Sequence, residues 1–303
     1  MKKILFFVWI LGVGFVAANG QVTTQTPTPG QATQTIINTG RRSSVIFDAQ
    51  RKSDPQTDKT RGATVTSKNP AFRKPTKEDL LLVAPAAEDA ATYSDFLRQP
   101  DTGLIRLLSD EGCQENASLT VASDFCIQYK NVFGGSAYSF RTENYTLGRF
   151  ADVVYKDGSL YAIGKLTLGF LVDLGETGAL GNVSAETPGA KFVFDFLPPE
   201  NLPQIEAAFE RFRNGVKEGG FQYQRFYSLQ ENHTYVLRSV AYRKREQREK
   251  NKAIYDDLSN DERKDVIIAF QVVRFPDAKK SSVTLLWKVL QSRETAKIAV
   301  AKN

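Results

Sequence analysis

Residues 149–175 read RFADVVYKDGSLYAIGKLTLGFLVDLG, and the pair Asp157-Gly158 sits between two alternating runs. Asp-Gly between such runs is the strongest short-range hairpin signal in a sequence. A two-residue turn sets Tyr155 opposite Leu160, Val153 opposite Ala162, Ala151 opposite Gly164 and Arg149 opposite Leu166. Beyond the turn every even position from Leu160 to Leu174 is apolar or glycine. The pattern predicts one long strand that buries that face, because a slip of one residue would put the whole set into water. The other face mixes Asp152, Lys165 and Asp173 with Phe150, Val154 and Ile163.

Working outward, the next strands are expected at Lys191 to Leu197, which alternates through Phe192, Phe194 and Phe196, and at Phe221 to Leu229. Thr234 to Tyr242 is expected to pair with the latter across Gln230-Glu231-Asn232-His233. Val266 to Phe275 is apolar on both faces and suits a central position, and Val283 to Leu290 alternates. Glu200 to Lys217 carries Ile205, Ala208, Phe209, Phe212 and Val216 at helical spacing, with Gly219-Gly220 expected to close it. Before the hairpin, Thr76 with Asp79 has a capping-box pattern. Glu88 to Leu97 is expected to be a short helix with Ala91, Phe96 and Leu97 inward, and Leu104 to Leu108 fits a helix or a buried strand equally. Arg243 to Asp265 is dense in charge and reads as an exposed loop with one helical turn at Ile254-Tyr255. The fold class is therefore α+β: a mainly antiparallel sheet of about eight strands covered by one amphipathic helix, with short N-terminal helices, in a single domain over 77–303.

Ahead of that domain, Lys2-Lys3 precede an apolar run from Ile4 to Ala18, and Ala18-Asn19-Gly20 offer small residues before Gln21. Residues 1–20 read as a secretory signal peptide cleaved before Gln21. The apolar run is short of the roughly 20 residues that span a bilayer, so no stable membrane insertion is expected after cleavage. Residues 21–76 are rich in Thr, Gln, Pro and scattered charge, too polar to offset their ordering entropy, and read as a disordered linker. Localisation follows as exported, periplasmic or secreted. The two cysteines agree: Cys113 and Cys126 are the only pair, and in an exported chain they are expected to form a disulfide.

The net charge is +6 and the pI about 9.1, values that can mark a nucleic-acid protein. Here the basicity sits in the leader, where nine Lys or Arg face three Asp between Gln21 and Thr76. From Lys77 onward 29 basic residues face 31 acidic ones, so no nucleic-acid partner is expected. Arg41, Arg42, Arg51, Lys52 and Arg61 leave room for a weak contact with an anionic cell-surface polymer.

Motifs for chemistry are scarce. His233 is the only histidine, which removes multi-histidine metal sites, and it falls in a turn where a solvated role is expected. Gly164-Lys165-Leu166-Thr167 imitates a P-loop tail but lies in a strand. Asp152, Asp173 and Asp195 are the strand carboxylates that paired-acid hydrolysis would draw on, and nothing in the spacing brings them together. Asp256, Asp257, Asp261, Glu262 and Asp265 lack calcium-loop spacing and read as solvated. Asn116, Asn144, Asn182 and Asn232 open Asn-x-Ser/Thr triplets. Behind a signal of bacterial character these are read as chance. No cofactor, metal ligand or catalytic residue is expected, and no binding residue or partner is identifiable. The functional expectation is an exported, non-catalytic binding or interaction domain. The alternatives are a periplasmic carrier of an apolar ligand and, least supported, a carboxylate-based hydrolase.

Overall fold

The computed structural model of the protein describes residues 75–113, 123–243, 247–250, 253–256, 258, 261–295 and 298. The expected signal, residues 21–74 of the leader, Asn116 and Asp257 lie outside them. Three short helices open the described chain: α1 (Lys77–Leu81), α2 (Ala87–Thr92) and α3 (Ser94–Leu97). The capping box at α1 is complete. Thr76 N–H donates to Asp79 Oδ2 at 2.8 Å, and Asp79 N–H donates to Thr76 Oγ1 at 3.2 Å. In α2 the inward residue is Asp89, with Ala91 exposed, because Arg274 Nε donates to Asp89 at 3.1 Å.

Strand β1 (Thr102–Leu108) settles the ambiguity at Leu104 in favour of a strand. After it come α4 (Asp124–Gln128), a 3-10 turn over Lys130–Gly135, β2 (Ala137–Ser139), β3 (Asn144–Tyr145), β4 (Val153–Lys156), β5 (Ser159–Ala162) and β6 (Thr167–Asp173). Helices α5 (Ala190–Asp195) and α6 (Leu202–Asn214) follow, then β7 (Val216–Glu218), β8 (Phe221–Gln224), β9 (Phe226–Ser228) and β10 (Thr234–Ala241). A ribbon of β11 (Gln247–Lys250) and β12 (Ala253–Asp256) precedes β13 (Lys264–Arg274) and β14 (Ser282–Glu294).

Two antiparallel sheets carry the domain, one of seven strands in the order β1-β14-β13-β10-β6-β8-β7 and one of five in the order β3-β2-β4-β5-β9. The α+β, mainly antiparallel class holds. The Asp157-Gly158 turn forms with both residues at positive φ, and β4 pairs with β5 as Val153↔Ala162 and Tyr155↔Leu160. The long second strand does not continue. At Gly164 (φ 119°) and Leu166 (φ 52°) the chain turns out of the small sheet and enters the large one. The even residues other than Gly164 and Leu174 stay buried, but on two different sides. Leu160 and Ala162 join the core between the sheets, whereas Phe170 packs under the helices, stacked on Phe212 at 4.0 Å. The sheets meet closely there, and a Cβ added at Gly169 would lie 2.8 Å from Ala162 Cβ.

A second crossing occurs at Arg225, between β8 of the large sheet and β9 of the small one. Residues 221–229 are therefore two strands, and neither pairs with β10, whose neighbours are β6 and β13. Residues 191–195 are helical, not extended, with Phe196 as the C-cap; Phe192 and Phe196, four apart, both reach the ring of Phe170. α6 stops at Gly215 (φ 84°), so Val216 belongs to β7 and Gly219-Gly220 forms the β7–β8 turn. Ile254 and Tyr255, expected in a helical turn, lie in β12.

Candidate functional site

The three strand carboxylates are not brought together; each is committed to its own partners. Asp152 is fully buried between the sheets. It accepts from Arg141 Nε at 2.8 Å, from Phe140 N–H at 2.8 Å and from the Ser139 and Ser239 hydroxyls. A carboxylate holding that many donors has no lone pair left to act as a base. Asp173 meets His233, and Asp195 lies exposed on α5 beside Lys191 at 2.7 Å.

Around Asp152 the structure builds a buried charge network that includes part of the supposed exposed loop. Arg141 also reaches Asp261 and the Glu262 carbonyl, and Arg263 Nη1 pairs with Asp261. Burial opposes the Arg141 charge, but Asp152 and Asp261 outweigh it and hold the guanidinium above its ordinary value. Burial pulls Arg263 down. On the helix side of the large sheet, Arg238 forks onto Asp265 at 3.0 and 2.9 Å, and Arg293 adds a third bond at 2.7 Å. Burial pushes the Asp265 carboxyl up, to about 7, and these guanidiniums oppose that shift by favouring the carboxylate. The solvated reading of Asp261 and Asp265 is thus corrected: besides neighbouring Arg263, their partners come from strands and turns remote in sequence. Sequence reasoning missed Arg141, Arg238 and Arg263. Arg238 had a signal, since a lone arginine inside the apolar strand TYVLRSVA must find an acid.

His233 is not a solvated turn residue. Its Nδ1 lies 3.0 Å and 3.1 Å from the two Asp173 carboxylate oxygens, because the end of β6 runs beside the start of β10. That is half of a nucleophile-activating triad. Among the described residues no serine or threonine hydroxyl bonds its other nitrogen, and the adjacent Thr234 hydroxyl is taken by Thr177 at 2.8 Å.

The face where a carrier pocket was expected is filled. Phe170, Phe192, Phe196, Phe212 and Tyr223 pack ring to ring between the large sheet, α5 and α6. Arg238 donates across that layer to the Val193 and Phe196 carbonyls.

Open space lies elsewhere, in a cleft of about 310 Å³ bounded by α1, β1 and the β2–β3 edge of the small sheet. Leu80, Leu81, Val83, Leu104, Ile105 and Tyr138 form its apolar wall, and Lys77 and Glu143 add one charge of each sign. Leu81 is 74 % exposed and Leu82 40 %. The wall is held in place from behind. Asn131 donates to Asp79 of α1 at 2.9 Å, and the Tyr145 hydroxyl donates to the Arg106 carbonyl at 2.7 Å. Burial raises the Tyr138 and Tyr145 hydroxyls well above their ordinary range, so both remain neutral donors.

Cys113 and Cys126 are joined in a disulfide that ties α4 to the end of the β1 segment. Among the described residues no helix is long and apolar enough to cross a membrane, and no three His, Cys, Asp or Glu side chains converge. The chain matches no family model, no curated protein and no solved structure.

Proposed function

We propose that the protein is an exported, non-catalytic binding domain that recognises its partner through the cleft between α1 and β1. The observation that carries this reading is the cleft wall itself. Leu81, 74 % exposed, shares a concave surface with Leu80 and Leu104, and an apolar concavity with a few polar groups is where a partner is most readily accommodated. The remaining features agree with it. The candidate acids stand apart, Asp152 on buried Arg141, Asp173 on His233 and Asp195 on exposed Lys191; no serine or threonine hydroxyl bonds His233 among the described residues, and a disulfide suits an oxidising compartment. In this reading the exported form begins within a few residues of Gln21, and the basic leader contributes at most a weak attraction to an anionic surface polymer.

The test places a photo-crosslinking amino acid at Leu81 and, separately, at Leu197, which is 87 % exposed on the chain leaving α5. Illumination of the exported fraction should give a discrete adduct from position 81 alone, and Leu80→Asp should abolish it. Equal labelling from both positions, or none from either, would overturn the reading.

A further inference from the structure

We propose that the cleft takes an extended segment of a partner polypeptide, added as a strand to the free edge of β1. The inference rests on the reading of the cleft as the recognition site and names what it recognises. Val289 N–H donates to the Asp101 carbonyl at 2.8 Å, and Ser109 N–H donates to the Ser281 carbonyl at 2.7 Å. In the register that joins them, the odd residues of β1 bond to β14. Leu104 and Arg106 therefore turn their backbone groups outward. One of those four groups, the Arg106 carbonyl, is taken by the Tyr145 hydroxyl. The Leu104 N–H, the Leu104 carbonyl and the Arg106 N–H have no hydrogen-bond partner among the described residues.

The other edges of the seven-stranded and five-stranded sheets are built differently. β7 and β9 have three residues each and β3 has two, and β7 exposes Lys217 and Glu218. Short, charged edges resist pairing with another chain. β1 has seven residues, and its ends are closed. Thr102 Oγ1 donates to the Gln99 carbonyl at 2.8 Å, below α3. At the far end Gly135 packs so close to Leu108 that an added Cβ would stand 3.0 Å from its Cδ1. The open window is thus Leu104–Arg106, which lies on the cleft. A guest residue opposite Leu104 exchanges two bonds with it in an antiparallel ladder, and the guest carbonyl two residues earlier accepts from Arg106 N–H. Guest side chains point alternately to opposite faces, so one of them enters the cleft beside Leu80 and Val83. Lys77 and Glu143 give the wall no net charge, which favours an uncharged segment. A lipid tail or a rigid apolar small molecule would leave all three backbone groups unpaired.

The experiment titrates isotopically labelled full-length protein with a blocked hexapeptide of alternating valine and threonine. It is repeated with the same peptide N-methylated at every second residue, in each of the two phases. The unmodified peptide should shift the amide resonances of Leu104 and Arg106 and slow their hydrogen exchange. N-methylation in one phase should weaken binding about tenfold or more, since it removes edge hydrogen bonds and little else. If all three peptides shift cleft residues such as Ile105 with equal affinity, strand addition is overturned and the cleft reading stands. If none of them shifts any cleft residue, both are overturned.

Discussion

The Nε of Arg141 stands 2.8 Å from the Asp152 carboxylate, and neither side chain has any exposed surface. The pair joins the loop after β2 to the residue before β4, and Ser239 of β10 completes it from the opposite sheet. It therefore acts as a buried polar tie between the two layers, in addition to the Tyr145 hydroxyl that bonds the Arg106 carbonyl. Removing one partner leaves the other charged and buried, a change that costs far more than the intact pair contributes.

Asp152→Ala should accordingly lower stability by about 3–5 kcal/mol. Asp195→Ala, which breaks the exposed Lys191 pair, should stay within about 0.5 kcal/mol of wild type. Urea unfolding of the two variants decides the matter, and similar midpoints would mean that Asp152 is hydrated after all.

Leu168 is fully buried on the helix side of β6, opposite Val240. Leu168→Ala should cost about 2–5 kcal/mol through lost burial and the cavity left behind. Leu197→Ala should change stability by less than about 0.5 kcal/mol. The reverse order in chemical denaturation would refute the placement of β6 beneath the helices.

The close approach of the sheets at Gly169 and Ala162 predicts a compensating pair. Gly169→Ala should destabilise by about 1–3 kcal/mol by overpacking. Adding Ala162→Gly should recover part of that loss, because the new methyl would occupy the vacated space. A double-mutant cycle with no coupling would show that the two residues are not in contact.

Alkaline stability follows from the tyrosines. Burial raises the hydroxyls of Tyr145, Tyr155, Tyr235 and Tyr242 beyond their ordinary range, and that of Tyr227 to about 12. A raised folded-state value means stability that is complete below the unfolded value near 10 and is lost as pH rises through the folded value. Absorbance at the phenolate band should lag in native protein between about pH 10 and 12 and jump on unfolding. Smooth titration of every tyrosine near pH 10 would contradict the buried placement.

The parts legible in the sequence were those decided locally. Asp157-Gly158 dictates its own turn, Thr76 and Asp79 cap each other, and the apolar stripe of α6 repeats within one element. Legibility ended where one pattern serves two structures. The period-two apolar pattern runs unbroken from Leu160 to Val172 although the chain changes sheets at Gly164, since both destinations are apolar. Phe192, Phe194 and Phe196 alternate like a strand, yet the helix takes in Phe192 and Phe194 and leaves Phe196 as its cap. The candidate site was harder still. The cleft comprises residues from α1, β1, β2 and β3, none distinctive alone, and the Arg141–Asp261 contact spans more than a hundred positions that local charge density cannot reveal.

The pairing of β1 with β14 also sets an order of assembly. Thr102 lies opposite Lys288, so a chain emerging from its N-terminus cannot complete the large sheet until nearly all of it is available. Ile105 and Leu107 lack their β14 neighbours for that whole interval, and contacts so distant in sequence close slowly. Closure of the large sheet is thereby a late event, whereas the five strands of the small sheet, the last of which ends at Ser228, can pair earlier.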